Sequence, residues 1–350
     1  MRGQRLFLNP QPARHRSTIM IRVGTTMAAG ALVASLALSA CSADGDGGYA
    51  TSFDIAVSNA TEPYSIPWLV GKDQGFFEDR GVTIGDIVPS KGGGTTIRNM
   101  LSGDLPIADV GFTSVLETQG SGADLTVVGG ATQSVYGLDF YSLSSNADIE
   151  GINDISRWAY TNPQSVTQAL TFILPQVAGA TQPIERVSSG GVGEGVALLE
   201  AGDVDVAVVP PSVVAKTDKF RVAVSSADYL EKFQQSVITT TPEFAADNPD
   251  TVRAVVAGYA ESVDHIRAHP DDAAQLYADY IGIDLEAAKT IVGKAVQYDN
   301  WGAGFNADAI EQAVQAQRVA MDTDDLEFCN LFHDDFLPDD VSDTLPDECK

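Results

Sequence analysis

Reactive side chains are scarce in this 350-residue sequence, and each shortage removes a class of function. Only four histidines occur, at His15, His265, His269 and His333. His265 and His269 stand at i, i+4, but Ile266 takes the place where a zinc-protease HExxH motif needs glutamate, so no metal site is expected there. The three cysteines are Cys41, Cys329 and Cys349, which leaves none between residues 51 and 322 to act as a nucleophile. No GxSxG elbow and no GxxxxGK[ST] phosphate loop appears, so serine hydrolysis and nucleotide hydrolysis by this chain are not expected. Nothing calls for a cofactor. Basic residues are also few, 21 against 48 acidic, for a net charge of −27. Five of them (Arg2, Arg5, Arg14, Arg16, Arg22) precede Cys41 in a stretch without acids, so the remainder carries −32. That field repels nucleic acid and anionic membrane surfaces.

What is present begins at the amino terminus. Residues 23–40, VGTTMAAGALVASLALSA, form an apolar run behind Arg14, Arg16 and Arg22. A basic, then apolar, then small-residue layout marks an export signal. The run ends in Leu38-Ser39-Ala40-Cys41, which resembles a bacterial lipobox; that resemblance implies lipidation of Cys41 and cleavage before it. The alternative is a membrane-spanning anchor, for which 18 residues rich in Gly, Ser and Thr are short. Met20 offers a second start, because the signal is complete from there. Residues 42–50 are polar and glycine-rich, as a flexible tether would be. Export places Cys329 and Cys349 where they can pair and close the acidic tail, residues 323–350; the alternative is two free thiols.

The body, 44% hydrophobic over the whole chain, reads as alternating strands and helices. Strands are expected at 51–57, 82–88, 107–110, 125–128, 139–143, 158–160 and 204–209. Helices are expected at 68–74, 95–101, 113–119, 165–178 and 194–201. From 250 to 320 the chain reads as helix: Val252, Val255, Val256, Tyr259, Val263 and Ile266 recur at three- and four-residue spacing, after a start at Asn248-Pro249-Asp250. The expected fold class is α/β with largely parallel sheets.

Four segments, in order, resemble a known family. PWLVGKDQGFFEDRGV (67–82), the stretch from Ser90 to Gly130, GGVGEGVALLEAGDVDVAVVPPS (190–212) and the helical stretch 248–284 are similar to segments of periplasmic solute-binding proteins for nitrate, sulfonates, taurine and thiamine-precursor pyrimidines. The resemblance covers roughly residues 52–320. It implies a two-lobed periplasmic-binding fold of type II, with residues 51–142 and 241–322 in lobe 1 and 143–240 in lobe 2. Two crossings, near 140–144 and 236–242, would be the hinge. It further implies a small-molecule ligand held between the lobes, and a permease and an ATPase of an ABC importer as partners to a monomeric receptor. A ligand-sensing lipoprotein and an enzyme on the same fold are the alternatives.

In open α/β sheets, ligands sit beyond the carboxyl ends of strands, where helix starts point inward with free N–H groups. The candidate ligand residues follow from that rule. Gly93, Gly94 and Thr95 open one helix, and Gly191 and Gly193 open another. Thr113, Ser114, Asn162 and Ser165 stand at further helix starts. Each of these serves either a ligand or an ordinary turn or cap. Ser58 and Asn59 follow the first strand, Gln133 follows the fourth, and Pro211 ends a later one. Trp68 is either a cleft wall or core, and so is Trp301. Lys91 and Arg98 are the nearest cations. The ligand expected from the resemblance is a sulfonate- or nitrate-like anion, or a pyrimidine or other aromatic compound.

Overall fold

The structure, a computed structural model, describes residues 52–58, 63–103 and 105–350. The export signal, Cys41, the tether and Asn59 lie outside the described residues.

Lobe 1 begins with β1 (Ser52–Val57), α1 (Ile66–Gln74), β2 (Thr83–Pro89), α2 (Gly93–Leu101), β3 (Ile107–Gly111), α3 (Phe112–Gly120) and β4 (Thr126–Gly130). Ile55, Ala56 and Val57 are all fully buried, because β1 is covered on both faces. Lobe 2 holds β5 (Phe140–Leu143), β6 (Arg157–Tyr160), α4 (Val166–Val177), β7 (Glu185–Ser188), α5 (Val192–Ala201), β8 (Ala207–Val208), the short α6 (Pro211–Val214) and β9 (Phe220–Val224). The chain then returns through β10 (Ser236–Thr240) to α7 (Pro242–Asp247), α8 (Pro249–Ala268), α9 (Pro270–Ile281), α10 (Leu285–Gln297) and α11 (Ala307–Met321).

The first sheet has the order β2-β1-β3-β10-β4. β1 runs parallel to β2 and β3, but β10 lies antiparallel between β3 and β4. This corrects the largely parallel expectation: a strand arriving from the other lobe enters from the opposite end. Residues 236–240 also pair in the first sheet, although the resemblance implies lobe 2 for them. Phe140–Leu143 pairs the other way, with β8 and β9 in lobe 2. In that lobe β8-β5-β9 is antiparallel and β6-β7 parallel, joined by a bridge between Trp158 and Val206.

The helical periodicity of residues 252–266 becomes the buried face of α8, where Tyr259 lies 4.9 Å from the ring of Trp68. Residues 323–350 are not a free tail. Leu326, Phe328, Leu331 and Phe336 are buried, Phe332 bridges to Val127 of β4, and the His333 N–H donates to the Val127 carbonyl at 3.0 Å. Cys329 and Cys349 are joined by a disulfide. The tail thereby covers the outer edge of β4, whose backbone groups would otherwise stand unpaired. Among the described residues no helix is long and apolar enough to cross a membrane.

Candidate functional site

A cavity of about 460 Å³ opens between the lobes. Its walls come from strand carboxyl ends. Ser58 follows β1, Ser90 to Gly93 follow β2, and Gly111 ends β3. From lobe 2, Thr161 follows β6, Gly191 and Gly193 lie beyond β7, and Pro210 follows β8. Gln235 and Ser236, on the return crossing, close the back. Leu138, Val166, Val192, Val196 and Val213 make much of the remaining wall apolar.

Both glycine-rich helix starts face this space, and each sets a glycine close against its own chain. A Cβ on Gly93 would stand 2.3 Å from Ser114 Oγ. A Cβ on Gly191 would stand 2.4 Å from a carboxylate oxygen of Glu194. Glu194 folds back over the start of α5, and its own backbone N–H and Lys91 hold its carboxyl below the usual range.

Several bonds join the lobes across the cavity rim. Lys91 Nζ lies 3.3 Å from Glu194 Oε1. Asn162 Nδ2 donates to the Lys91 carbonyl at 2.6 Å. Thr113 Oγ1 and Ser114 Oγ both donate to the Gln164 carbonyl, at 3.1 and 2.9 Å. Gln164 has a φ of 72°, a left-handed conformation uncommon for a residue other than glycine.

Of the residues singled out from sequence, the structure gathers Ser58, Lys91, Gly93, Ser114, Ser165, Gly191 and Gly193 around the cavity. The others stand elsewhere. Trp68 is fully buried beneath α8 and donates from Nε1 to Asp109 Oδ2 at 2.9 Å, so it is core and not a cleft wall. Gln133 turns away and donates to the Gly304 carbonyl at 2.7 Å. Thr113 is buried and spent on Gln164, while Asn162 is spent on Lys91. Thr95 accepts from Arg98 Nη2 at 2.9 Å, which occupies both of them. Gly94 does not line the cavity, and Pro210 lines it in place of Pro211. Trp301 is buried, its backbone bridges to Thr132, and it is not in the lining.

Sequence reasoning passed over Tyr64, Thr161, Thr167, Glu194, Gln235 and Ser236, all of which line the cavity. Two of these carry a signal. Glu194 is the one acid inside GGVGEGV, and Gln234-Gln235 immediately precedes β10.

Behind the wall lies a buried acid. Asp109 on β3 is fully enclosed, and burial pushes its carboxyl up to about 6 against the opposing hydrogen bonds from Ser236 and Trp68. Asp139 is likewise raised to about 6 by burial, although it accepts from the Ser226 N–H at 3.0 Å. Among the described residues no three His, Cys, Asp or Glu side chains converge as a metal site would require.

Two α/β lobes, two crossings and a cavity at the strand ends define the class of the periplasmic binding proteins. The chain belongs to the NMT1/THI5-like family, whose model matches residues 62–273. Solved structures agree on the fold. The aliphatic sulfonate-binding protein SsuA of Escherichia coli is 18% identical with a TM-score of 0.59, over 77% of this chain and 90% of that one. The ligand-binding component of an ABC-type import system from Staphylococcus aureus, with zinc bound, is 11% identical with a TM-score of 0.68, over 83% and 99%. The Candida albicans CA3427 product, described as having the generic periplasmic binding protein fold, is 13% identical with a TM-score of 0.64, over 79% and 92%. No curated protein matches the chain.

Proposed function

We propose that this chain is the extracytoplasmic solute-binding component of an ABC importer, captured at the membrane by lipid on Cys41. It is a receptor and not an enzyme. The observation that carries the reading is the cavity itself: helix starts from both lobes border one space of about 460 Å³, a size suited to a single small molecule. The lobes close over the solute by bending between β4 and β5 and between β9 and β10, at residues 131–139 and 225–235 in place of the 140–144 and 236–242 expected above, and the rim bonds of Lys91, Asn162 and Gln164 hold the closed form. A permease recognises that closed shape, and a separate ATPase supplies the energy. The solute is either an anion of sulfonate or nitrate type or a pyrimidine or aromatic compound.

The test is ligand capture by the chain purified in detergent from a host that exports it. Native mass spectrometry should detect one small molecule per chain after exposure to a solute panel, and Val196→Trp, which puts a large ring into the cavity, should weaken it. Binding that persists undiminished in that variant would remove the cavity from the function. A mass shift at the amino terminus after metabolic labelling with a fatty acid checks the anchor, and Cys41→Ala should lose it.

A further inference from the structure

The cavity keeps a neutral hydrogen-bond donor unspent. Gln235 is 4% exposed and lines the back wall at the return crossing. Its Oε1 is shut off from solvent, as is Oε1 of the neighbouring Gln234. The two amides differ at Nε2. That of Gln234 donates to the Thr132 and Ser236 carbonyls, at 3.3 and 2.6 Å. That of Gln235 donates to nothing among the described residues and keeps accessible surface, which the cavity provides. Its backbone is fixed on both sides, with the N–H donating to the Thr132 carbonyl at 2.8 Å and the carbonyl accepting from the Phe112 N–H at 3.0 Å. The serine and threonine hydroxyls of the lining spend their protons within the wall. Ser90 donates to the Gly92 carbonyl, Ser114 to the Gln164 carbonyl and Ser236 to Asp109; Ser58 pairs with Thr96, and Thr161, Ser165 and Thr167 bond one another. A buried amide N–H left unpaired is costly, and in a binding cavity a ligand acceptor is what would pair it.

That amide shares a corner with two helix starts. The Gln235 carbonyl takes the N–H of Phe112, the first residue of α3, and Ser114 of the same turn packs against Gly93. Gly93 opens α2, a nine-residue helix whose first N–H groups find no partner inside it. Donors therefore border this corner, and they suit a carbonyl oxygen, a ring nitrogen or an anionic oxygen. Charge decides among these. The one cation in the lining, Lys91, is exposed and paired with Glu194, whose carboxylate stands at the start of α5. An anion buried beside Leu138, Val192, Val196 and Val213 would have no free counter-ion, whereas a neutral acceptor needs none.

Resting on the receptor reading above, we infer that Gln235 is a specificity-determining residue, and that its Nε2 holds the acceptor atom of an uncharged organic solute whose apolar body lies on the valines of lobe 2. A ring or chain carrying a carbonyl oxygen or a ring nitrogen fits this description. This decides between the two solute classes left open, and against the nitrate- and sulfonate-type anions.

The experiment uses three probes that share one ring: acetophenone, a neutral acceptor; benzoate, an anionic acceptor; and benzylamine, a cationic donor. Thermal unfolding of the detergent-purified chain should shift up by about 3 °C with acetophenone at saturating concentration, and not with the other two. Gln235→Leu should weaken acetophenone about tenfold. Gln235→Glu keeps the shape but replaces the donor with an acceptor, so it should lose acetophenone and gain benzylamine, an exchange that a merely structural residue would not produce. Benzoate or benzylamine acting on the wild type as strongly as acetophenone would overturn the inference, and this comparison needs no variant to fold. So would acetophenone binding undiminished in Gln235→Leu, or silence from all three probes, each of which is small enough for the cavity. The receptor reading fails separately, when the wider solute panel yields no captured molecule or when Val196→Trp leaves capture undiminished.

Discussion

The two glycine-rich helix starts that border the cavity look alike in sequence and behave differently in space. At α2, Gly93 makes room for a hydroxyl fixed in the neighbouring helix, Ser114 Oγ. At α5, Gly191 makes room for the far end of a flexible side chain in its own first turn, Glu194. A run of glycines therefore announces a close approach without saying what approaches. In both cases the nearest group belongs to the chain itself, and the ligand meets what those contacts leave over.

That difference can be broken by substitution. Gly93→Ala drives a methyl against a buried, hydrogen-bonded serine, and should cost about 2 kcal/mol in chemical denaturation, with loss of ligand capture. Adding Ser114→Ala to it should recover part of the loss. The next effect in size separates the lobes by pH. Asp109 in lobe 1 is raised to about 6 by burial, whereas Glu194 in lobe 2 is held ionised. An acid with a raised folded pKa takes up its proton in the native state first, between about pH 6 and pH 4. Native stability therefore rises as pH falls from 7 to 5, by about 1 kcal/mol for this one group. Asp139, raised to a similar value, adds to the trend. Melting curves across that range should show the rise, and Asp109→Asn should flatten it without removing the share due to Asp139.

Smaller effects sharpen the contrast. Gly191→Ala should cost under about 1 kcal/mol, because the Glu194 carboxylate can swing aside; equal costs at residues 93 and 191 would erase the distinction drawn here. Lys91→Ala should change stability by no more than about 0.5 kcal/mol, since its pairing with Glu194 is solvent-exposed. Its effect should appear in the rate of ligand release, which stopped-flow fluorescence can follow.

Much of the architecture was legible because it is local. The spacing of Val252 to Ile266 alone defines a helical face, and Pro249 marks its start. The glycines at 92–94 and 190–193 located both helix starts at the cavity. What escaped is set by partners distant in sequence. β7 is half-exposed with mixed polarity, so it carries no strand pattern. The direction of β10 depends on the lobe from which it returns, which no residue within it records. Trp68 was weighed as cleft or core, and the deciding group, Asp109, lies 41 residues away. Gln235 was passed over because an unpaired amide is a property of surroundings and not of residue type.

Covering one margin of the larger sheet has a consequence for molecules held side by side. With Phe332 and His333 laid along β4, a second copy finds no strand there to extend. At the opposite margin β2 ends in Pro89, and Lys72 occupies the Gly85 carbonyl. The larger sheet thus has one covered border and one partly blocked against zippering sheet to sheet.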